Sequence, residues 1–258
     1  MRMRITKRLA KSAVVSVLVW SVSSAADMSE LTFYIEEYPP YNFSNNGQIT
    51  GIAVDLLQQA SQQVGREISS EQIVMQPWPR AYRSVLLKPG SVLFSATRTQ
   101  HRESLFNWVG PIGEIRVSVL ARSDTKIKID QPIDLAKYRI GVIRDDVGEQ
   151  LLLQLGIPRE LMQEAANVGV LTELLLKNRI DLIAYNEQAT HWWAIRSGYQ
   201  AEDLATIFVL QQGLLYFAFN KEIDQQLVND LQKGIDIIRD TSGKDGVNLY
   251  QAILDKYR

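Results

Sequence analysis

From residue 31 onward the apolar residues change spacing repeatedly, from every second position to every third or fourth and back. A chain that keeps switching between the period of a strand and the period of a helix has few architectures open to it. The period-2 or continuous apolar runs are LTFYI (31–35), VLFSA (92–96), EIRVSVLA (114–121), YRIGVI (138–143), RIDLIAY (179–185) and LLYFAFN (214–220). Between them lie helical patterns. Val54, Leu57, Ser61 and Val64 share a face that ends at Gly65, a residue suited to closing a helix. A helix opens near Pro79, because proline fits the first turn. EQLLLQL (149–155) and LTELLLK (171–177) are helical, another helix runs through His191 and Trp192, and two helices close the chain. The first of these carries Ile223, Leu227, Leu231, Ile235 and Ile238 on one face. Strands alternating with helices predict an α/β fold with mostly parallel sheets. Ligands of such sheets sit beyond the carboxyl ends of strands. Four loops are therefore nominated, after Ile35, Ala96, Ile143 and Tyr185.

The first 26 residues have a different pattern. A basic start is followed by the apolar run AVVSVLVW (13–20) and the small residues SVSSAA (21–26). That order is expected of a secretory signal peptide, with Ser24 and Ala26 at the −3 and −1 positions and cleavage before Asp27. The apolar run is far shorter than the roughly 20 residues a membrane-spanning helix needs. Five of the 28 basic residues and none of the 29 acidic ones lie in this segment, so the remainder carries −6, with 23 basic and 29 acidic residues. An acidic exported domain is not expected to bind nucleic acid, which needs a clustered positive surface. Without cysteine, thiolate catalysis, iron–sulfur clusters and cysteine zinc sites are excluded.

Phosphate-cradling glycine loops and the serine-hydrolase elbow are absent from the sequence, and His101 and His191 lie in no metal-binding motif, so no catalytic residue, metal or cofactor is assigned. Glu36 and Glu37 are neighbours on an extended segment. Their side chains point to opposite sides, and one is expected to be exposed and the other at a site rim, with Glu37 taken as the site residue. Asp145 and Asp146 precede a helix, where carboxylates cap free N–H groups. Packing in the core or between lobes is expected of Trp192 and Trp193. The polar segment that stands out is SATRTQHRESLFNWVGP (95–111), in which Ser95, Thr97 and Thr99 end a strand and Arg98 and Arg102 follow. Hydroxyls beside a guanidinium fork can receive a carboxylate through parallel hydrogen bonds. Tyr34, Tyr38, Tyr41, Phe43 and Trp78 add aromatic walls of the kind that line small-molecule pockets. A salt bridge from Arg102 to Glu103 or Asp146 is the alternative structural role for that arginine.

Four ordered segments carry a family resemblance: EEYPPYNF with GQITGIAVDLL, then SATRTQHRESLFNWVGP, YRIGVIRDDVGEQ and LLLKNRIDLIAYNE. Together they resemble the bacterial periplasmic solute-binding proteins of family 3, the amino-acid-type receptors of ABC importers. The resemblance implies a two-lobed fold of the periplasmic-binding-protein type II kind, with two crossover hinge strands and a ligand cleft between lobes. Lobe 1 would be 27–117 with 212–258, and lobe 2 would be 118–211. It further implies that Arg102 grips a ligand carboxylate, with Ser95 and Thr97 beside it, and that Tyr38 and Tyr41 line the cleft, with Trp78 as a further wall. Two positions depart from the family pattern. Asn186, next to Glu187, stands where an aspartate would meet an α-ammonium, and Asp145 and Asp146 stand where small residues or threonine are usual.

The implied function is a periplasmic, monomeric receptor that carries a small carboxylate-bearing solute, an amino acid or a related compound, to a membrane permease. The alternatives are an exported dehydratase-like or glycan-cleaving enzyme on the same fold, using Glu37 or Glu187, and a sensor that reports to a separate membrane signalling protein.

Overall fold

The computed structural model describes residues 27–243 and 246–257; the expected signal peptide lies outside the described residues. Strand β1 (Thr32–Ile35) leads to a hairpin of β2 (Phe43–Asn45) and β3 (Gln48–Thr50), then helix α1 (Ile52–Gln63) and strand β4 (Ile73–Met75). Helix α2 (Trp78–Leu87), strand β5 (Ser91–Thr97) and the 17-residue strand β6 (Phe106–Arg122) follow. Next come β7 (Ile140–Ile143), α3 (Val147–Gln154), β8 (Met162–Ala165), α4 (Val168–Leu176), β9 (Leu182–Asn186) and α5 (Glu187–Arg196). A second 17-residue strand, β10 (Leu204–Asn220), precedes α6 (Gln225–Asp240) and α7 (Leu249–Asp255).

Local chemistry accounts for many of these boundaries. The β2–β3 turn is Asn46–Gly47, both at positive φ, which is the conformation a two-residue hairpin needs. Gly65, at φ +65°, closes α1 as its spacing predicts. Pro79 lies in the first turn of α2, whose buried residues Trp78, Ala81, Tyr82 and Val85 repeat at helical spacing. Asp146 caps α3 by accepting from the Gly148 N–H at 3.1 Å, and Asp224 caps α6 in the same manner.

Eight strands form one sheet in the order β4-β1-β5-β10-β6-β9-β7-β8. Pairings are parallel within β4-β1-β5 and within β9-β7-β8, as expected of an α/β chain. The centre of the sheet departs from the parallel expectation. β10 runs antiparallel to both β5 and β6, and β6 runs antiparallel to β9. The reason is the path of the chain: β6 carries it from one half of the sheet to the other, and β10 brings it back. β5 pairs with β10 near Leu215–Phe219, and β9 pairs with β6 near Val117–Leu120. Between those zones, 114–116 and 212–214 pair only with each other among the described strands, which leaves a two-stranded waist between two lobes.

The larger apolar cluster fills the first lobe and continues into the second, where it takes in Val168, Leu171 and Ile183. Every residue of β5 is buried, consistent with helices covering both faces, and Phe94 meets Phe33 and Phe217 edge-on at 5.9 and 4.9 Å. Ile223, Leu227, Leu231, Ile235 and Ile238 are all buried, as their spacing predicts. Across the waist, Val119, Ala121, Leu135, Ile140, Val142, Leu152 and Leu182 form a second cluster.

Candidate functional site

The four loops nominated by the sheet rule converge. The chain after β1 supplies Glu36 and Tyr38, the end of β5 supplies Thr97 and leads to Arg102, the turn after β7 supplies Asp145 and Asp146, and β9 supplies Tyr185. Arg102 is at the centre and is fully buried, with 0% of its surface exposed. Its Nη1 donates to the Thr97 carbonyl at 3.4 Å, its Nη2 to the Asp145 carbonyl at 3.0 Å and its Nε to Gln150 Oε1 at 3.0 Å. The guanidinium carbon lies 5.2 Å from the Trp78 ring and 5.1 Å from the Tyr82 ring. Residues from both sides of the waist therefore hold one cation. The salt bridge to Glu103 goes to Arg98 instead, in a two-pronged contact on the surface.

Two carboxyls share this interior. Glu36 is 8% exposed and accepts from the Tyr185 hydroxyl at 3.1 Å; Asp146 is 5% exposed at the N-terminus of α3. Burial pushes the Glu36 carboxyl well above the usual range and the nearby Asp146 charge pushes the same way, against the Tyr185 hydrogen bond and the Arg102 charge. Asp146 is raised by burial, against Arg102 and the α3 backbone N–H groups. Arg102 is lowered by burial, and Asp146 opposes that loss of charge.

The aromatic residues build the walls. Tyr38 stacks on Tyr41 at 5.6 Å and meets the Tyr185 ring edge-on at 5.8 Å, so it bridges the lobes. Tyr41 turns towards the waist, where its hydroxyl donates to the Glu114 carbonyl at 2.5 Å and burial pushes its pKa up to about 12. Phe43 reaches Trp192 at 6.0 Å, a second contact between lobes, while Trp193 packs against Gly169 of α4. Asn42, fully buried, ties the loops together. Its Nδ2 donates to the Glu36 carbonyl at 2.9 Å and its Oδ1 accepts from Ser95 Oγ at 2.5 Å, with Ser95 held at φ +50°.

Of the residues the sequence nominates, Arg102, Trp78, Thr97, Asp146 and Tyr38 come together, and Ser95 supports them through Asn42. Three do not face this centre. Glu37 is half-buried and accepts from the Ser44 N–H of the hairpin, so Glu36 is the neighbour that turns inward. Asn186 is spent as the cap of α5, accepting from the Ala189 N–H at 2.7 Å. Glu187 accepts from Ser118 Oγ and pairs with Arg116 at 3.4 Å. A cavity of about 730 Å³ lies at the waist and is lined by Glu114, Arg116, Asn186, Glu187, His191 and Gln212 among others. Sequence reasoning missed Glu36, Asn42, Tyr82, Gln150 and Tyr185. For two of these a signal existed: Glu36 and Tyr185 sit at the very strand ends the sheet rule marks.

The profile of the bacterial extracellular solute-binding proteins, family 3, matches residues 31–257. The chain belongs to that family. Its fold recurs in solved structures of low sequence identity. A mutant of ArgBP from T. maritima superposes with a TM-score of 0.72 at 19% identity, covering 88% of this chain and 94% of that one. A histidine kinase sensor domain with similarity to periplasmic binding proteins gives 0.74 at 18% identity, covering 88% and 95%. The arginine-, lysine-, histidine-binding protein ArtJ from Geobacillus stearothermophilus gives 0.72 at 17%, covering 88% and 94%. No curated protein matches the chain. At these identities the likeness is one of fold; for this family 3 protein the site must be argued from its own side chains. Among the described residues no helix is long and apolar enough to cross a membrane.

Proposed function

We propose that the chain is the periplasmic receptor of an ABC-type importer, exported by a signal peptide cleaved before Asp27, and that it acts by reversible binding of a small carboxylate-bearing solute between its lobes. One observation carries the reading: a fully buried arginine is held jointly by residues on both sides of a two-stranded waist. A guanidinium in that place can grip a carboxylate and make closure depend on the ligand, since contacts to both lobes favour the closed form. Support comes from the family and from neighbours whose names specify amino acids, ArtJ among them. In this reading lobe 1 is 27–117 with 212–258, lobe 2 is 118–211, the chain works as a monomer, and a membrane permease receives the solute.

The test is calorimetry and thermal shift with amino acids, modified amino acids, small peptides and organic acids. Arg102→Ala should weaken a carboxylate ligand by about 2–5 kcal/mol. An unchanged affinity would remove Arg102 from the site, and silence across the panel would remove the solute-receptor reading.

A second reading, a ligand sensor for a separate membrane signalling protein, is favoured by the likeness to the histidine kinase sensor domain. Capture of a sensor rather than a permease from envelope extract, in the presence of ligand, would select it.

A further inference from the structure

The cavity of about 730 Å³ at the waist has a neighbour. A second cavity, of about 670 Å³, shares Glu114, Gln188 and Leu214 with it, so the two make one groove along the paired strands. None of Arg102, Trp78, Thr97, Glu36 or Asp146 lines either part. Tyr41 stands between groove and cleft: it lines the second cavity, and its ring stacks on that of Tyr38. Pro40, Pro111, Leu254, Tyr250 and Tyr257 are further walls of that cavity. Tyr41 and Tyr250 donate their hydroxyls to the Glu114 and Ile112 carbonyls of β6, at 2.5 and 2.6 Å, and the Tyr257 hydroxyl donates to Asp55 at 2.9 Å. With the hydroxyls so engaged, the tyrosines offer mainly ring surface to an occupant.

One cation lines this apolar cavity. Arg239, from the last turn of α6, lays its guanidinium 4.3 Å from the centre of the Tyr250 ring. Among the described residues it forms no ion pair, and its Nε–H is buried without an acceptor. Buried guanidinium donors are normally bonded, and the planar fork suits a carboxylate. In the adjoining part of the groove, His191 Nε2 is also buried and unpartnered. Two orphaned polar atoms therefore line one groove that has room for a small molecule and apolar walls to pack it.

We propose that this groove is a second binding site, separate from the cleft around Arg102, for a small organic acid with an aromatic or alicyclic body. The carboxylate pairs with Arg239, and the body packs on the tyrosine and proline walls. Gln188 and His191 of α5 border the groove from one side of the waist, and Arg239, Tyr250 and Leu254 of the two closing helices from the other. An occupant there lies against the strands that join the lobes. The site stands apart from the receptor reading, because it uses none of the residues that hold Arg102.

The test is isothermal calorimetry on the purified chain, with phenylacetate and cyclohexanecarboxylate as probes and phenylacetamide as the uncharged control. At least one acid should bind, and the amide should bind about tenfold or more weakly than phenylacetate. Arg239→Gln should weaken the acids about tenfold or more, the scale of a lost charged hydrogen bond. Arg102→Ala should leave them unchanged. Leu254→Trp fills the cavity without altering the cation and should also remove binding, so it decides the matter if the arginine variant fails to fold; melting curves of both check folding. No binding by either acid, or binding that survives the folded variants, overturns the second site and leaves the receptor reading standing. Loss of binding with Arg102→Ala alone would put the acids in the cleft, overturning the second site while supporting the receptor reading.

Discussion

Arg102→Met separates charge from packing at the centre of the cleft. Methionine keeps an unbranched stem against Trp78 and Tyr82 but removes the guanidinium. Asp146 is then buried with no nearby cation. It has two ways out, protonation or hydration by opening of the waist. Protonation sets the ceiling on the damage. A carboxyl with an ordinary pKa of 3.8 must be neutralised across about 3 units at pH 7, which is about 4 kcal/mol at 1.36 kcal/mol per unit. At pH 5 the same step costs only about 1.6 kcal/mol. Wild-type Asp146 is already raised by burial, so the measured losses should lie below these ceilings. The assay is urea unfolding followed by tryptophan fluorescence at both pH values, with small-angle scattering to detect an opened waist. The expected outcome at pH 7 is either a loss approaching 4 kcal/mol, seen as a melting point lower by about 8–16 °C, or a larger radius of gyration. Either effect should shrink markedly at pH 5. An equal loss at the two pH values with an unchanged radius would refute the electrostatic argument and assign the effect to packing against the two rings.

Three further outcomes follow from the same contacts. Asn42→Ala leaves the Glu36 carbonyl and the Ser95 hydroxyl without their buried partner, so it should destabilise by about 2–4 kcal/mol in denaturant titration; wild-type stability would mean the loop after β1 is held by other contacts. Gly148→Ala drives a methyl group into the Ala184 carbonyl of β9, and the overpacking should cost about 1–3 kcal/mol in thermal melts. The third concerns pH. Glu36 and Asp146 have folded-state pKa values above their unfolded ones, so the native protein holds protons that the unfolded chain releases. Their joint contribution to stability therefore falls as pH rises from the ordinary carboxylate range through the raised values. Lowered carboxyls elsewhere, such as Asp181 beside Arg139, give the opposite slope, so the contrast with Glu36→Gln isolates the effect. Urea midpoints between pH 4.5 and 8 should show less decline with rising pH for the variant than for wild type.

Local patterns in the sequence were enough to define the α/β class, the closing face of α6, the caps at Gly65 and Asp146, and the four strand ends around which the candidate site is built. Each of these depends on neighbours within a turn or two of chain, and spacing alone exposes it. The central antiparallel pair was less legible. Only the inner segments 114–121 and 214–220 read as strands, whereas β6 and β10 each extend to 17 residues through stretches of mixed polarity at the waist. Those residues are exposed on one side and gain strand geometry from each other, not from a buried face. The short edge strands β4 and β8 were missed because three or four half-exposed residues carry almost no periodic signal. The site divides along the same line. Arg102 and Trp78 could be picked out by residue type, but which of Glu36 and Glu37 turns inward could not, because alternation fixes that the two differ and leaves the choice to packing. Nor could the sequence foresee that Asn186 would be spent on a helix N-terminus. That Glu36 and Asp146, 110 positions apart, face one arginine is a consequence of two lobes meeting across a waist. Burial and the charges of distant residues set the protonation of such groups, and only the tertiary structure brings those charges within reach.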